Sequence, residues 1–167
     1  MNRAFEKSFS PEFHWDSGPS IFVTFKVQNA QITRVTLAPS QAFGCTIQGK
    51  VTLQEEILSW IEGYLKGKED QMLPLDFSLF TPFMQAGIEA IRSIPFGKVA
   101  TYGAVAKNTS NPHCNPRALG NVCHRNPYPL VIPCHRVVAS NCLGGFAYGP
   151  KIKQELLRFE SLISFSS

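Results

Sequence analysis

The residues best able to do chemistry stand side by side in the segment Ile132-Pro-Cys-His-Arg-Val-Val138, where a thiol precedes an imidazole. A cysteine among apolar residues is ordinarily inert, because burial disfavours the thiolate that acts as nucleophile. His135 can serve as the base that takes the proton of Cys134. Neighbouring side chains diverge on a regular strand or helix, so this partnership needs a turn after Pro133 or a bridging water. A Cys-His pair alone more often marks a packed thiol beside a hydrogen-bonded histidine, so the surroundings decide.

Helices are predicted on both sides of this Cys-His pair in the second half of the chain. Thr81-Pro82 predicts a helix start, with the hydroxyl as cap and proline at the first position, and Pro95-Phe-Gly97 ends that helix. Thr101 caps a short helix, and Asn115-Pro116 opens another that runs to about Arg125. Two short helices joined by a turn, the second beginning with a basic residue, are typical of a helix-turn-helix DNA-binding unit.

Three further segments flank the Cys-His pair. The apolar run Pro129–Pro133 is predicted to be buried and extended, and Gly144-Gly145 marks a loop. Apolar residues recur at helical spacing from Lys151 to Ile163, which predicts a final amphipathic helix.

The first half of the chain reads as a small α+β unit. Two β-rich segments, 21–27 and 32–37, flank a hairpin turn, and a helix is predicted from about Val51 to Lys66. A charged connector, 68–74, then ends in proline. We therefore expect an α+β protein: an N-terminal α/β domain with an antiparallel sheet (1–76), followed by a mostly helical domain with a winged-helix-like helix-turn-helix unit (77–167).

Charge divides unevenly between these halves. Residues 1–76 carry seven Lys and Arg against nine Asp and Glu, whereas residues 77–167 carry nine against three. The basic half is the better candidate to meet a polyanion such as nucleic acid.

Cysteine usage and hydropathy indicate the compartment. The five cysteines are an odd number without disulfide-scaffold spacing, which favours free thiols in a reducing compartment. No apolar run approaches the roughly 20 residues of a membrane span, and the segment MNRAFEKSFSPEFHWD lacks a signal-peptide core. We expect a cytoplasmic protein without membrane contact.

The longer string from Asn115 to Val138, with its Arg-Ala-Leu-Gly, Asn-Pro and Pro-Cys-His-Arg-Val motifs, resembles the O6-alkylguanine-DNA alkyltransferases, also called methylated-DNA–protein-cysteine methyltransferases. The segments 95–102, 144–149 and 156–160 resemble the same family, so the likeness covers residues 80–160. The first 76 residues fit it only weakly, as the family's variable N-terminal domain.

The resemblance implies a catalytic set. Cys134 matches the nucleophile that accepts the alkyl group irreversibly, in a single turnover without a cofactor. His135 matches its base, and Glu160 matches the carboxylate that orients and charges the imidazole, completing a Cys-His-Glu relay. Tyr102 matches the tyrosine that donates a proton or hydrogen bond to the departing guanine, and Asn126 matches the asparagine that pins the backbone around the cysteine.

The resemblance also implies the partner, double-stranded DNA carrying O6-alkylguanine, with O4-alkylthymine left open. The damaged base must leave the stack, and Arg117 matches the arginine that takes its place. Family members bind the minor groove, which carries little sequence code, so largely sequence-independent binding by a monomer is expected. The helix face expected to meet the DNA consists of Arg117, Ala118, Gly120, Asn121 and Val122.

The pocket for the alkylated base is expected to involve four further residues. Cys123 stands where a bulkier wall residue is common, and Ala147 and Tyr148 stand where serine and glycine occur in some members, so the preferred alkyl size stays open. Val137, just after the Pro-Cys-His-Arg motif, completes the set.

The sequence admits three other interpretations: a zinc site, a protein that only binds damaged DNA, and a cysteine hydrolase. Three Cys-His pairs, 113–114, 123–124 and 134–135, raise the possibility of zinc, but adjacent residues rarely ligate one ion and no Cys-x2-Cys spacing exists, so no metal is expected. A non-catalytic helix-turn-helix protein that only binds damage is disfavoured by the presence of Cys134. A cysteine hydrolase would leave Arg117 and the basic half without a purpose.

Overall fold

The computed structural model describes residues 10–166. The first nine residues, which include most of the segment tested for an export signal and the start of the predicted N-terminal domain, lie outside the described residues, as does Ser167. Among the described residues, no helix is both long and apolar enough to cross a membrane.

A four-stranded sheet forms the first half. Strands β1 (Glu12–Trp15), β2 (Ile21–Gln28), β3 (Gln31–Pro39) and β4 (Phe43–Gly49) lie in the order β1-β4-β2-β3. The predicted hairpin between β2 and β3 is confirmed, and Asn29 and Ala30 at its tip both have positive φ, as a tight hairpin turn requires.

The sheet is mixed, so the expectation of an antiparallel sheet is wrong. Strand β3 ends at Pro39 opposite Ile21, the first residue of β2. The chain then passes that end of β2, and β4 runs parallel to β2 along its other side. Sequence reasoning missed β4 because five successive residues, 43–47, are buried, which removes the period-2 alternation of a half-exposed strand.

Helix α1 (Gln54–Leu65) follows a short 3-10 turn (Val51–Leu53) and confirms the predicted helix. Its residues Ile57, Trp60, Ile61 and Tyr64 recur at helical spacing and are buried in the same hydrophobic core as the inward side chains of the sheet.

The second half contains α2 (Pro82–Arg92), α3 (Tyr102–Lys107), α4 (Pro116–Arg125) and α5 (Pro150–Ser166). The three predicted caps are confirmed: the side chains of Thr81, Thr101 and Asn115 accept the backbone N–H three residues ahead. Helices α3 and α4 pack on each other and on α2, while β5 (Ala100–Thr101) pairs in parallel with β6 (Val137–Val138).

The run Pro129–Pro133 is not extended as expected. The N–H of Ile132 donates to the carbonyl of Tyr128 at 2.8 Å, and Leu130 has a φ of 73°, so the segment is a tight turn. Prolines at both ends remove two backbone donors, which leaves the run poorly suited to strand pairing. The turn delivers the chain directly to Cys134.

The two halves share one continuous core and several polar contacts. The N–H of Val35 on β3 donates to the carbonyl of Pro127 at 2.8 Å, and the Tyr128 hydroxyl donates to the Asp76 carbonyl. The segment that follows α4 therefore rests against the sheet half.

Candidate active site

The Cys134 thiol lies at the start of a 3-10 turn (Cys134–Arg136), so the turn expected after Pro133 is present. The N–H of Cys134 donates to the Ile132 carbonyl at 2.8 Å, and that of Arg136 to the Pro133 carbonyl at 2.9 Å. The Cys134 side chain is nearly enclosed, with the residue 5% exposed.

Asn126, the C-cap residue of α4, forms hydrogen bonds to the thiol and to the backbone around it. Its Nδ2 donates to the Ile132 carbonyl at 3.0 Å and lies 3.2 Å from Cys134 Sγ. Its Oδ1 accepts from the N–H of Tyr128 at 2.9 Å. Because both ends of the amide are used, its orientation is fixed, and an N–H is held against the sulfur.

The imidazole of His135 is fully buried and contacts a buried carboxylate. Its Nε2 is 2.5 Å from Oε1 of Glu160, which is also fully buried. Its Nδ1 is the buried side-chain N or O atom that lacks a hydrogen-bond partner within residues 10–166. Although Cys134 and His135 are adjacent in sequence, their side chains form no direct hydrogen bond. Glu160, on α5, is hydrogen-bonded to the imidazole.

Glu160 is the centre of a buried polar cluster. Arg136 Nε donates to its Oε2 at 2.8 Å and Nη2 to its Oε1 at 3.2 Å, while the Tyr64 hydroxyl donates to Oε1 at 3.1 Å. Burial alone would raise the pKa of Glu160, but the charges and hydrogen bonds of His135 and Arg136 outweigh it and hold that pKa at about 2. Glu160 is therefore a carboxylate throughout the neutral range.

The environment of Cys134 opposes the effect of its burial. Burial raises the pKa of the thiol above its ordinary value, while the Asn126 amide, the Lys153 ammonium and the backbone N–H groups of Cys134 and His135 lower it. Hydrogen bonds and a positive charge of this kind stabilise a thiolate as it forms.

Lys153 is a site residue that sequence reasoning missed. Its side chain is fully buried, and Nζ donates to the carbonyls of Val137 at 2.7 Å and Gly145 at 3.1 Å. Burial lowers its pKa, and the Cys123, Cys134 and Cys142 thiols oppose that effect. The available signal was a lysine on the otherwise mostly apolar face of α5, where a charge is rarely buried without partners.

A cavity of about 400 Å³ opens onto the sulfur of Cys134. Of the predicted residues, Tyr102, Gly120, Cys123, Cys134 and Ala147 line it, together with three that were not predicted: His124, Gly145 and Phe146.

Two predicted pocket residues lie elsewhere. Val137 is fully buried behind the site, paired with Ala100 in the short sheet. Tyr148 turns away from the cavity and donates its hydroxyl to the carbonyl of Val35 at 3.4 Å. The expectation for Val137 came from nearness to the Pro-Cys-His-Arg motif and that for Tyr148 from its position in the family pattern, and neither determines the direction of a side chain in a strand or loop.

Tyr102 begins α3 at the mouth of the cavity. Its hydroxyl lies 3.5 Å from the Gly145 carbonyl. Burial raises its pKa, and the nearby Cys123 and Cys134 thiols raise it further. The phenol is therefore protonated at neutral pH and can donate a hydrogen bond into the cavity.

The outer face of α4 differs from the expected one at a single position. Arg117 and Asn121 are exposed and Ala118 is half-buried, as a contact surface requires. Val122 is 4% exposed and packs against α2 at Gly87, where an added Cβ would meet its methyl groups at 3.0 Å. The expectation that Val122 meets DNA is wrong, because a residue one position beyond Asn121 points to another side of the helix.

Comparison with known proteins defines the family. The sequence family described as 6-O-methylguanine DNA methyltransferase, DNA binding domain, matches residues 82–162. A probable methylated-DNA–protein-cysteine methyltransferase of Acanthamoeba polyphaga mimivirus is 40% identical over 112 residues, which cover 66% of this chain and 74% of that protein. The chain belongs to the methylated-DNA–protein-cysteine methyltransferase family.

Other members agree in sequence and in fold. A methylated-DNA–protein-cysteine methyltransferase of Methanocaldococcus jannaschii is 44% identical over 89 residues, and the match spans about half of that protein, 52%. The crystal structure of an O6-methylguanine-DNA methyltransferase from Pyrococcus kodakaraensis strain KOD1 superposes with a TM-score of 0.64 at 25% identity, covering 90% of this chain and 97% of that one. The α+β fold class is confirmed.

The described residues of this family member contain no cluster of three or more His, Cys, Asp or Glu side chains arranged to hold a metal ion. The Cys-His pairs do not converge: His113 and His124 are exposed, whereas His135 is buried.

Proposed function

We propose that the chain repairs DNA by moving an alkyl group from O6 of guanine to the sulfur of its own Cys134, once per molecule. The observation that carries the proposal is a thiol at the wall of a cavity with an amide N–H 3.2 Å from its sulfur, a buried His-Glu pair beside it and an ammonium group near it. A carbon–sulfur bond forms, the carbon–oxygen bond to guanine breaks, and the thiol proton ends on the purine. The thioether has no easy reversal, so the protein is consumed.

The tautomer of His135 supports its role as the base. Because Glu160 is a carboxylate and can only accept, Nε2 of His135 carries a hydrogen and donates it at 2.5 Å. The lone pair of Nδ1 is then free to accept the proton of Cys134, through a water since the two side chains are not directly bonded. Glu160 stabilises the imidazolium that forms.

Tyr102 and the cavity supply the other half of the reaction. Guanine leaves readily only when it is protonated or hydrogen-bonded, and a protonated phenol at the cavity mouth can provide this. Chemistry on O6 cannot occur inside a stacked duplex, so the base must be turned out into the cavity. The volume of about 400 Å³ lies in the range of pockets that enclose small organic ligands.

The DNA is proposed to meet the exposed face of α4. Arg117 is exposed in the first turn of that helix, suited to enter the gap left by the extruded nucleotide, and Ala118 and Asn121 lie beside it. Gly120 lines the cavity, so this face leads directly to the thiol. Small side chains permit close approach in the minor groove, with little sequence preference, by a monomer.

We further propose that the chain divides near residue 76 into a sheet domain and a DNA-binding domain. Elements β1 to α1 precede that point and the helices of the active site follow it. The sheet domain then serves to brace the turn after α4, through the contact of Val35 with Pro127.

Incubation with a duplex that contains O6-methylguanine tests the proposal. Repair gives one methyl group on the Cys134 peptide per protein molecule, measured by mass spectrometry, and then no further reaction. A helix-turn-helix protein that only binds damage leaves the lesion intact, and a hydrolase turns over repeatedly. Either of the last two outcomes excludes suicidal alkyl transfer.

A further inference from the structure

Glu69, in the connector between the two halves, contacts the buried guanidinium of Arg136. Its Oε2 accepts from Nη1 at 2.9 Å and its Oε1 accepts from Nη2 at 2.5 Å. The Arg136 side chain is fully buried, whereas 28% of the Glu69 side chain is exposed. Sequence reasoning assigned this glutamate no role.

All five N–H groups of Arg136 have acceptors. Nε and Nη2 donate to Glu160, Nη1 donates to the Ile94 carbonyl at 2.9 Å, and the two remaining N–H groups donate to Glu69. The ring of Phe96 covers the guanidinium, with its centroid 5.5 Å from Cζ. Without Glu69, two buried donors and part of a buried charge would lose their acceptor, which is costly in a low-dielectric site.

The net charge of this cluster indicates a role for Glu69, its second carboxylate. The ionisable groups that face Glu160 are His135, Arg136 and Tyr64, and Glu69 faces it through Arg136. Burial and the charge of Glu160 raise the pKa of Tyr64, so the phenol is neutral. Two carboxylates and one guanidinium leave a single negative charge, which an imidazolium at His135 would neutralise. If Glu69 were absent, Arg136 would neutralise Glu160, and the imidazolium would form as an unbalanced buried charge.

We propose that Glu69 is a positioning residue for alkyl transfer: by holding the outer edge of Arg136, it leaves Glu160 free to orient and stabilise the imidazolium of His135. The inference rests on the proposed transfer to Cys134. It makes the connector part of the active-site machinery, although Glu69 touches neither the thiol nor the cavity.

Glu69 can be tested without opening the core, because it is partly exposed while Arg136 and Glu160 are not. Glu69→Gln keeps the size and removes the charge, and Glu69→Asp keeps the charge on a shorter side chain. Asp70→Asn is the matched control, since it removes the same charge from the neighbouring exposed position outside the cluster.

The first measurement is the first-order rate of methyl transfer at saturating duplex, alongside the dissociation constant for DNA and the melting temperature. Glu69→Gln is expected to lower the transfer rate about tenfold, with DNA affinity unchanged. Glu69→Asp should recover most of the rate, and Asp70→Asn should match the parent. A melting temperature that falls while the transfer rate stays at the parent value would show that Glu69 only stabilises the fold, and would overturn the inference.

The second measurement does not depend on DNA repair. Iodoacetamide reacts with the Cys134 thiolate, and mass spectrometry of that peptide gives its rate of modification. Glu69→Gln should slow this reaction several-fold relative to Asp70→Asn. If the parent protein fails to remove methyl groups from DNA, the proposed function fails, yet this comparison still decides whether Glu69 acts on the thiol. Equal iodoacetamide rates in the two variants would refute the inference.

Discussion

Two thiols are buried, Cys45 in the core of the sheet and Cys134 in the 3-10 turn, but their surroundings favour opposite reactivities. Cys45 on β4 is 0% exposed and Cys134 is 5% exposed. Burial is the sole cause that raises the pKa of Cys45, to about 12, whereas an amide, an ammonium and two backbone N–H groups oppose the rise at Cys134. Burial is therefore common to packed and reactive cysteines, and the polar groups that face the sulfur distinguish the two.

Replacing each thiol by alanine should give the largest difference between the two cysteines. Cys134→Ala is expected to lower methyl transfer by at least about 10⁴-fold, because no other group supplies the nucleophile. Cys45→Ala removes a thiol from the sheet core and should retain the transfer rate while lowering the free energy of unfolding by about 1 kcal/mol. Rates from mass spectrometry and urea unfolding curves measure both effects. Residual transfer in Cys134→Ala near the parent rate would assign the chemistry to another residue.

Glu160, the carboxylate of the active site, should make the free energy of unfolding fall at acid pH. The pKa of Glu160 is lowered from its ordinary value of 4.5 to about 2, so its contribution to stability is present above pH 4.5 and is lost as the pH falls towards 2. That shift corresponds to about 3 kcal/mol. Urea unfolding between pH 5 and roughly pH 2 should show this loss in the parent and a shallower one in Glu160→Gln.

Glu155 on the same helix gives the matched control. Its pKa is lowered by a partly exposed ion pair with Arg158 and by the N–H of Ser20, and such an ion pair contributes at most about 1 kcal/mol. Glu155→Gln should therefore keep nearly the whole acid dependence of the parent. An acid dependence that is the same in Glu160→Gln as in the parent would show that the buried cluster does not hold Glu160 ionised.

The amide of Asn126 should contribute less than the nucleophile itself. Asn126→Ala removes the N–H that lies 3.2 Å from Cys134 Sγ and two hydrogen bonds that fix the turn. A hydrogen bond to a developing charge contributes about 1.5–3 kcal/mol, so transfer should slow by roughly tenfold or more. Asn108→Ala, at an exposed position after α3, should match the parent in single-turnover measurements. Parent-like transfer by Asn126→Ala would mean that the amide serves the fold alone.

The contrast between the two cysteines was visible in the sequence only in part. Pro-Cys-His-Arg marked Cys134, and capping residues located the helices correctly, because both are local signals. The parallel course of β4 depends on contacts between distant segments, so local patterns gave the wrong geometry there. The turn after Tyr128 is closed by a local hydrogen bond, but the apolar character of the run favoured an extended segment in the prediction.

The same limit applies within the active site. Family resemblance assigned roles to Glu160 and Asn126, whereas Lys153 reaches the Gly145 carbonyl and Glu69 reaches Arg136 through tertiary packing that the motifs do not encode. The expectations for Val137, Tyr148 and Val122 were wrong for a related reason, since neither nearness to the motif nor a matching family position determines which way a side chain points.

Substitution of Cys123 should change the transfer rate least. Cys123 lines the same cavity as Cys134, so the two thiols can be compared within one site. Burial and then the Cys134 thiol raise the pKa of Cys123 to about 12, although Lys153 and a backbone hydrogen bond lower it. Cys123→Ser should therefore change the transfer rate by less than about threefold, and mass spectrometry should find the methyl group on Cys134 alone. Alkylation of Cys123 in the parent would mean that entry to the cavity, rather than the Asn126 and His135 surroundings, selects the acceptor.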